Sequence, residues 1–485
     1  MPGVTAALQS ALRCGGCGWQ PDDPLALPPV CAHRGDSGDH VLLRELSGGP
    51  SRGLGGDALA LNPFVRWRKR MHAWHLARRL GWRDSQFVAL VEGLDQAVQA
   101  VDDGRGFHVT PLNHSHALAE GLGMAAAVWV KDETGQVGGS HKARHLFGIL
   151  LGLEVLRAHR PTGRPAALAI ASCGNAAVAA AVLAAAAKRR LLVFLPPDAH
   201  PRVVARLREL DAKVHTCRRA SGATGDPTVL RFRQAVADGA VPFACQGTEN
   251  GHAIEGGETL AWELATAVTR RRQGALDRVF VQVGGGALCS ALVRGLDQAV
   301  RAGILPRMPR IHPVQTRACY PLARAYQTLA QHMDNAQGAA ASVPTETELS
   351  ATAIAHREAR AHRLADAWAS PVGQAAFHQA LRQRSGAMVP WPAPGHSIAH
   401  GILDDETYDW AQCLRGVFGS GGYPVVVSEA HLAQGNWLAA SATGIAADAT
   451  GSAGLAGLLA LRLGGADAAV GPDEGVAVLL TGCRR

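Results

Sequence analysis

Lysine is nearly missing from this chain. Of 48 basic residues only Lys69, Lys131, Lys142, Lys188 and Lys213 are lysines, the remainder being arginine. Any chemistry that requires a primary amine is therefore confined to those few positions. Aromatic residues are also scarce, at 5%, which leaves little for stacking on nucleic-acid bases. The formal net charge of +8 is spread along the chain, with only small clusters at 66–70 and 270–272. That pattern lacks the concentrated basic face of a nucleic-acid binder and suits attraction of small anionic substrates. Long apolar runs are missing too. Stretches such as 175–187 are too short and too alanine-rich to span a bilayer. The first residues have neither the basic start nor the apolar core of a signal peptide, so a cytoplasmic protein without a membrane partner is expected. The ten cysteines are scattered and read as thiols, not as a disulfide framework.

What is present is a chain of 485 residues, 47% hydrophobic, enough for two or three domains around a large core. The first 60 or so residues, rich in Gly, Pro and Cys, read as an irregular extension. Helical segments are expected from about Phe64 to Leu80 and near Ser85–Val101. From Ala167 onward short apolar strands alternate with helices: "ALAIAS", "LLVFLP", "AKVHTC", "RVFVQV" and "RIHPVQ" are separated by helical patterns. Such alternation predicts an α/β architecture with buried, mostly parallel sheets. Residues 334–353 have weak periodicity and read as a mobile insertion, and 354–383 as a polar helix.

Four stretches carry chemistry. In "VKDETGQVGGSHKARH" (129–144), Lys142 alone among the lysines combines a Gly-Gly approach with a following helix. Glycines there let a planar ligand come close to the backbone, and a lysine near a low-dielectric cleft can attack a carbonyl. In "AIASCGNAAVAAA" (169–180) a strand ends at Ser172 and a helix begins after Asn175, giving free N–H groups for an anion. Ser172 or Asn175 could equally serve only as the helix cap. In "VFVQVGGGALCSALVRGL" (279–296) a strand, three glycines and a helix form a phosphate cradle. A dinucleotide fingerprint fits poorly because no acidic residue ends the next strand, and a P-loop fails because no Gly-Lys-Ser/Thr follows. In "GVAVLLTGCRR" a strand ends in Thr481, whose hydroxyl can meet a heteroaromatic nitrogen.

In this order the four stretches resemble the fold type II pyridoxal-phosphate enzymes, the tryptophan synthase β-like superfamily. "HVTPLNHSHALAEGLG", "ENGHAIEGGETLAWEL" (249–264), "HSIAHGI" (396–402) and "GIAADATGSAGLAGLLAL" (444–461) are similar to further motifs of that family. The resemblance runs from about residue 105 to the end. It implies two domains, each with a mostly parallel twisted sheet flanked by helices. Residues 63–140 and 256–485 would form the large cofactor-binding domain, and 141–255 the small substrate-side domain, behind an extension at 1–62. It also implies that Lys142 bonds the cofactor and then removes the substrate α-proton. Gly284, Gly285, Gly286, Ala287 and Leu288 would hold the phosphate, Asn175 the phenolic oxygen and Thr481 the pyridine nitrogen. Ser172, Gly174, Ser140 and His141 would line the substrate side. A hydroxyl cannot keep the pyridine nitrogen protonated as an aspartate would, which favours prompt loss of a β-leaving group over transamination.

Within the superfamily, "KDE" ahead of the lysine loop and the Cys-bearing extension lean towards threonine synthase. Relatives often carry Cys-x-x-Cys knuckles there; here Cys14, Cys17, Cys31 and His33 would supply a structural zinc set, with Arg34 where a further cysteine is usual. The lysine motif departs, reading Ser140-His141-Lys142-Ala143-Arg144 in place of Ser-Phe-Lys-Asp-Arg, and beyond Arg144 no second phosphate site can be named. The expected reaction is therefore β-elimination from threonine, serine or 3-hydroxyaspartate by an ammonia-lyase. Threonine synthase or a β-replacement enzyme is the alternative. A small amino-acid substrate and a homodimer follow from the resemblance.

Overall fold

The strands follow the apolar runs. Along the chain they are β1 (Gln9–Cys14), β2 (Leu42–Ser47), β3 (Leu112–Ser115), β4 (Val128–Asp132), β5 (Leu168–Ala171) and β6 (Leu191–Leu195). Then come β7 (Lys213–Thr216), β8 (Val241–Pro242), β9 (Arg278–Gln282), β10 (Arg310–Thr316), β11 (Val425–Val427) and β12 (Val476–Leu480). The computed structural model describes residues 9–34, 40–48, 53–159, 165–218, 226–271, 275–338, 344–392, 395–464 and 469–484.

Two α/β layers result. The larger sheet has the order β11-β10-β9-β12-β4-β3, with β3 alone antiparallel to its neighbour. The smaller has the order β7-β6-β5-β8 and is parallel throughout. Every residue of β9 and β12 is buried, as parallel strands covered by helices on both faces must be. All strands of the smaller sheet fall within 141–255, and all those of the larger fall within 63–140 or 256–485. The long helix Lys142–His159 packs against the helices Asn175–Ala186 and His252–Arg271. Small residues let them approach closely: a Cβ on Gly256 would sit 2.0 Å from the Arg144 carbonyl oxygen. No described helix is long and apolar enough to cross a membrane.

Several sequence expectations need correction. The N-terminal extension is not irregular: β1 and β2 pair as an antiparallel ladder from Gln9↔Ser47 to Cys14↔Leu42. The "QSALRC" alternation buries every second side chain, a period-two signal hidden among the surrounding Gly and Pro. The helix expected over 64–80 is three pieces, Pro63–Arg66, Arg68–Arg70 and His72–Arg79. Trp67 and Met71 leave helical geometry between them. In the expected insertion at 334–353, helices occupy both ends, Pro321–Ala336 and Ala351–Trp368, while 339–343 lie outside the described residues. The polar helix expected over 354–383 is broken at Ser370-Pro371, where the Ser370 hydroxyl accepts from Gly373 N–H at 3.1 Å and starts a new helix, Pro371–Leu381.

Candidate active site

Lys142 is the first residue of the helix Lys142–His159, and the loop before it is tied to the C-terminal strand. Ser140 bridges Gly482, Cys483 N–H donates to Gly139 O at 2.9 Å, and His141 N–H donates to Thr481 O at 3.3 Å. Gly138 and Gly139 have φ of 66° and 69°. A Cβ on Gly138 would lie 3.3 Å from the Ala179 backbone. That glycine is thus required to turn the loop against the helix Asn175–Ala186, a reason the sequence alone did not supply.

Two residues on, Arg144 is fully buried. It bonds Glu133 at 2.7 Å, Glu263 at 2.6 Å and Thr259 Oγ1 at 2.9 Å. Lys131 joins the same group through Glu263 at 2.5 Å. This network anchors the first turn of the lysine helix, and it commits the Arg144 guanidinium to carboxylates. Lys188 follows an alanine-rich helix, with φ 54°. His141 and His145 flank Lys142 as neutral imidazoles. Burial, reinforced by the Lys142 charge, pushes His145 down to about 3 and His141 well below its ordinary range.

The other expected residues converge on this loop. Asn175 opens its helix, and its Nδ2 is 2.8 Å from the point where a Cβ on Gly482 would lie. The Asp448 carboxylate is 3.1 and 3.2 Å from that same point. The Thr481 hydroxyl accepts a hydrogen bond from the Gln282 amide on β9, keeping its own proton available to donate. Ser172 Oγ accepts from Gly174 N–H at 3.4 Å, which shapes the turn into the Asn175 helix.

The glycine turn closes the site from the other side. Gly286, with φ 94°, caps the helix Ala287–Arg301, whose leading N–H groups have no intrahelical acceptors. The segment 402–413 packs directly over it. Cβ atoms would lie 2.2 Å from Asp404 Oδ2 on Gly284, 3.1 Å from Tyr408 on Gly285 and 2.9 Å from Thr407 on Gly286. Thr407 Oγ1 donates to Gly284 O at 2.9 Å, and Asp409 N–H to Gly285 O at 3.0 Å.

Burial pushes the Asp404 carboxyl up to about 6, opposed by Lys142 and the Gly285 N–H and assisted by Asp405 and Asp226. Burial also raises Asp405, with Glu406 and Asp226 adding to it. This wall of carboxylates was missed at the sequence level, although the run Asp404-Asp405-Glu406 beside the Ala-x-Gly-Ile motif was visible. Asp448 was missed likewise; its Oδ1 holds Gly451 N–H at 2.5 Å, and its N–H donates to Gly482 O at 2.9 Å.

Pyridoxal phosphate fits these groups. The helix start offers N–H donors to a phosphate, and the buried side-chain hydroxyls of Ser140, Thr248 and Ser290 have no partner among the described residues. The lysine amine, the Asn175 amide at a helix start and the Thr481 hydroxyl at a strand end supply the further donors and acceptors such a group needs.

In the extension, the expected ligands Cys14, Cys17 and Cys31 come together, but the imidazole that completes the group is His40 and not His33. The hairpin register explains this: Cys14 lies opposite Leu42, and Gly15 N–H bonds Val41 O at 2.8 Å, which brings His40 back to Cys14. The His33 imidazole lies against Cys17, its Nδ1 3.4 Å from the Sγ.

A search of curated proteins finds no match. Among solved structures, the fold is similar to a threonine deaminase from T.th., with a TM-score of 0.52 and 20% identity over 81% of this chain and 98% of that one. It is similar to diaminopropionate ammonia lyase of Escherichia coli, with a TM-score of 0.54 and 16% identity over 81% and 88%. Maize serine racemase gives a TM-score of 0.50 and 17% identity over 81% and 92%. At such identities the likeness is one of fold. The sequence profile of pyridoxal-phosphate dependent enzymes matches residues 105–369, more than half of the chain. The protein belongs to that family, and its architecture is the family's fold type II.

Proposed function

We propose that this enzyme eliminates the β-hydroxyl of a small hydroxyamino acid such as threonine or serine, yielding a 2-keto acid and ammonia. The observation that carries the reading is Asp404, a half-buried carboxyl that meets the glycine turn at Gly284 and that burial pushes up to about 6. Hydroxide is a poor leaving group and needs a proton as it departs, and an acid tuned towards neutrality supplies one.

Asn175, Thr481 and the turn from Gly284 to Leu288 would hold pyridoxal phosphate, which would supply an electron sink for the charge left on the α-carbon. The chain's residues do the rest. Ser172 and Gly174, with the start of the Asn175 helix, hold the substrate carboxylate. Lys142 Nζ removes the α-proton. Asp404 gives its proton to the leaving oxygen, which departs as water, and the released enamine hydrolyses to the keto acid and ammonia. Neutral His141 and His145 add no second positive charge beside Lys142.

The same wall argues against O-phosphohomoserine. A dianionic substrate would face Asp404, Asp405 and Asp226; burial raises the Asp404 and Asp405 carboxyls, and the neighbouring carboxylates add to it. Arg144, the cation nearest in sequence to Lys142, is spent on Glu133 and Glu263. A neutral hydroxyl side chain is favoured over 3-hydroxyaspartate for the same reason. Supplying threonine, serine, 3-hydroxyaspartate and O-phosphohomoserine separately tests this. Keto acid and ammonia from the first two support the reading; phosphate and threonine from the last would replace it with threonine synthase.

A further inference from the structure

The extension holds a cluster that the active site does not use. Cys14 and Cys31 are 2% and 1% exposed, and neither they nor Cys17 are in disulfides. Cys17 Sγ is 3.6 Å from Cys31 Sγ, and Cys14 Sγ is 3.6 Å from His40 Nδ1. All four ligand atoms lie within 4.8 Å of one another. Tetrahedral zinc, with Zn–S near 2.3 Å, sets sulfur atoms about 3.8 Å apart, so the group needs little adjustment to close around an ion.

The backbone supports thiolates in the manner of an outer coordination layer. Cys17 N–H points to Cys14 Sγ at 3.5 Å, and His33 N–H to Cys31 Sγ at 3.4 Å. A turn in which Gly18 N–H bonds Cys14 O at 3.0 Å brings Cys17 back, and Arg34 N–H bonding Cys31 O at 3.1 Å does the same for the second half. We propose that Cys14, Cys17, Cys31 and His40 form a structural zinc site that braces the wall behind the glycine turn. The first part stands on this geometry alone; the bracing rests on reading that turn as the cofactor's phosphate site.

The connection can be followed residue by residue. Val41, next to His40, is fully buried with Leu43, Ile254 and Ala291. A Cβ on Gly247 would meet Val41 Cγ1 at 3.0 Å. Gly247 and Thr248 N–H groups hold the Asp409 carboxylate at 3.1 and 3.3 Å, and Asp409 bonds Gly285 O. From the other end of the loop, Pro29 O accepts from Gly251 N–H at 2.9 Å, and Arg34 pairs with Glu249 at 2.8 Å. A loop closed by zinc thus fixes 247–251, which fixes Asp409 and the turn. Three thiolates and one imidazole fill all four positions with protein, as structural and not catalytic zinc does, and such a soft donor set selects against magnesium or calcium.

The test uses the full chain purified without chelator, with metal content by elemental mass spectrometry and cofactor affinity by absorbance titration. About one zinc per chain is expected in the wild type. His33→Ala should keep it, His40→Ala and Cys17→Ser should lose it, and His40→Cys should restore it. Removing zinc should weaken cofactor binding roughly tenfold, equivalent to about 1.4 kcal/mol, and zinc addition should reverse this. A metal-free protein with a Cys17–Cys31 disulfide, or zinc retained by His40→Ala and lost by His33→Ala, overturns the site. Zinc loss with unchanged cofactor affinity overturns the bracing. Zinc bound as expected in a chain that takes no pyridoxal phosphate overturns the cofactor reading instead and leaves the metal site standing.

Discussion

Replacing Asp404 with Asn separates proton delivery from shape. Asn keeps the size and polarity of the side chain but has no acidic proton to give. Moving a carboxyl from 3.8 to about 6 raises its protonated fraction at pH 7.5 roughly a hundredfold. General acids of this kind contribute about 10²–10⁴ in rate. In Asp404→Asn, kcat for serine should fall by roughly 10²-fold, with cofactor binding unchanged. β-Chloroalanine provides the control, since chloride leaves without a proton and its elimination should change little. Stopped assays of keto acid from both substrates, from pH 5 to 8.5, read the difference. The wild-type profile for serine should carry a limb near 6, lost as pH rises through that value, and the variant should lack it. Equal losses on serine and β-chloroalanine, or an unaltered limb, would refute the role given to Asp404.

Three further outcomes follow from buried groups. Arg144→Leu leaves the buried carboxylates of Glu133 and Glu263 with Lys131 to balance the two of them and should cost about 3–5 kcal/mol in urea unfolding; a loss below about 1 kcal/mol would mean that the network does not hold the lysine helix. Gly286→Ala forces a side chain at φ 94° against Thr407, so stability should drop by about 1–3 kcal/mol and the cofactor should bind more weakly, measured by calorimetry and titration. Burial holds His72, His75, His141, His145, His252 and His312 below their ordinary value in the folded chain. Unfolding then takes up protons below pH 6.5, so stability present at neutral pH is lost as pH falls, by up to about 1.4 kcal/mol per histidine at pH 5.5. Urea midpoints at pH 7.5 and 5.5 that coincide would contradict this.

The alternating strands and helices were legible because each rests on a local pattern. Apolar runs such as "LLVFL" and "RVFVQ" are buried on both faces and read as parallel strands without neighbours. Lys142 stood out through scarcity, and Gly284–Gly286 through the strand and helix around them. What escaped depends on pairing at a distance. His40 joins the cysteines only through the Cys14↔Leu42 register, whereas sequence spacing suggested His33. Asp404 reaches the glycine turn because Gly284 lacks a Cβ, a contact between segments some 120 residues apart. Arg144 sits beside the lysine in sequence but faces the other way, into Glu133 and Glu263. The two-residue strand β8 is too short to carry any period.

The proposed chemistry stands or falls on one lysine among five carrying the cofactor. Incubating the purified chain with pyridoxal phosphate, reducing with borohydride and mapping the labelled peptide by mass spectrometry tests this directly. A single stable adduct is expected on Lys142, in the peptide that begins after Lys131, and none in Lys142→Ala. An adduct on Lys131, Lys69, Lys188 or Lys213, or an unlabelled chain, would contradict it.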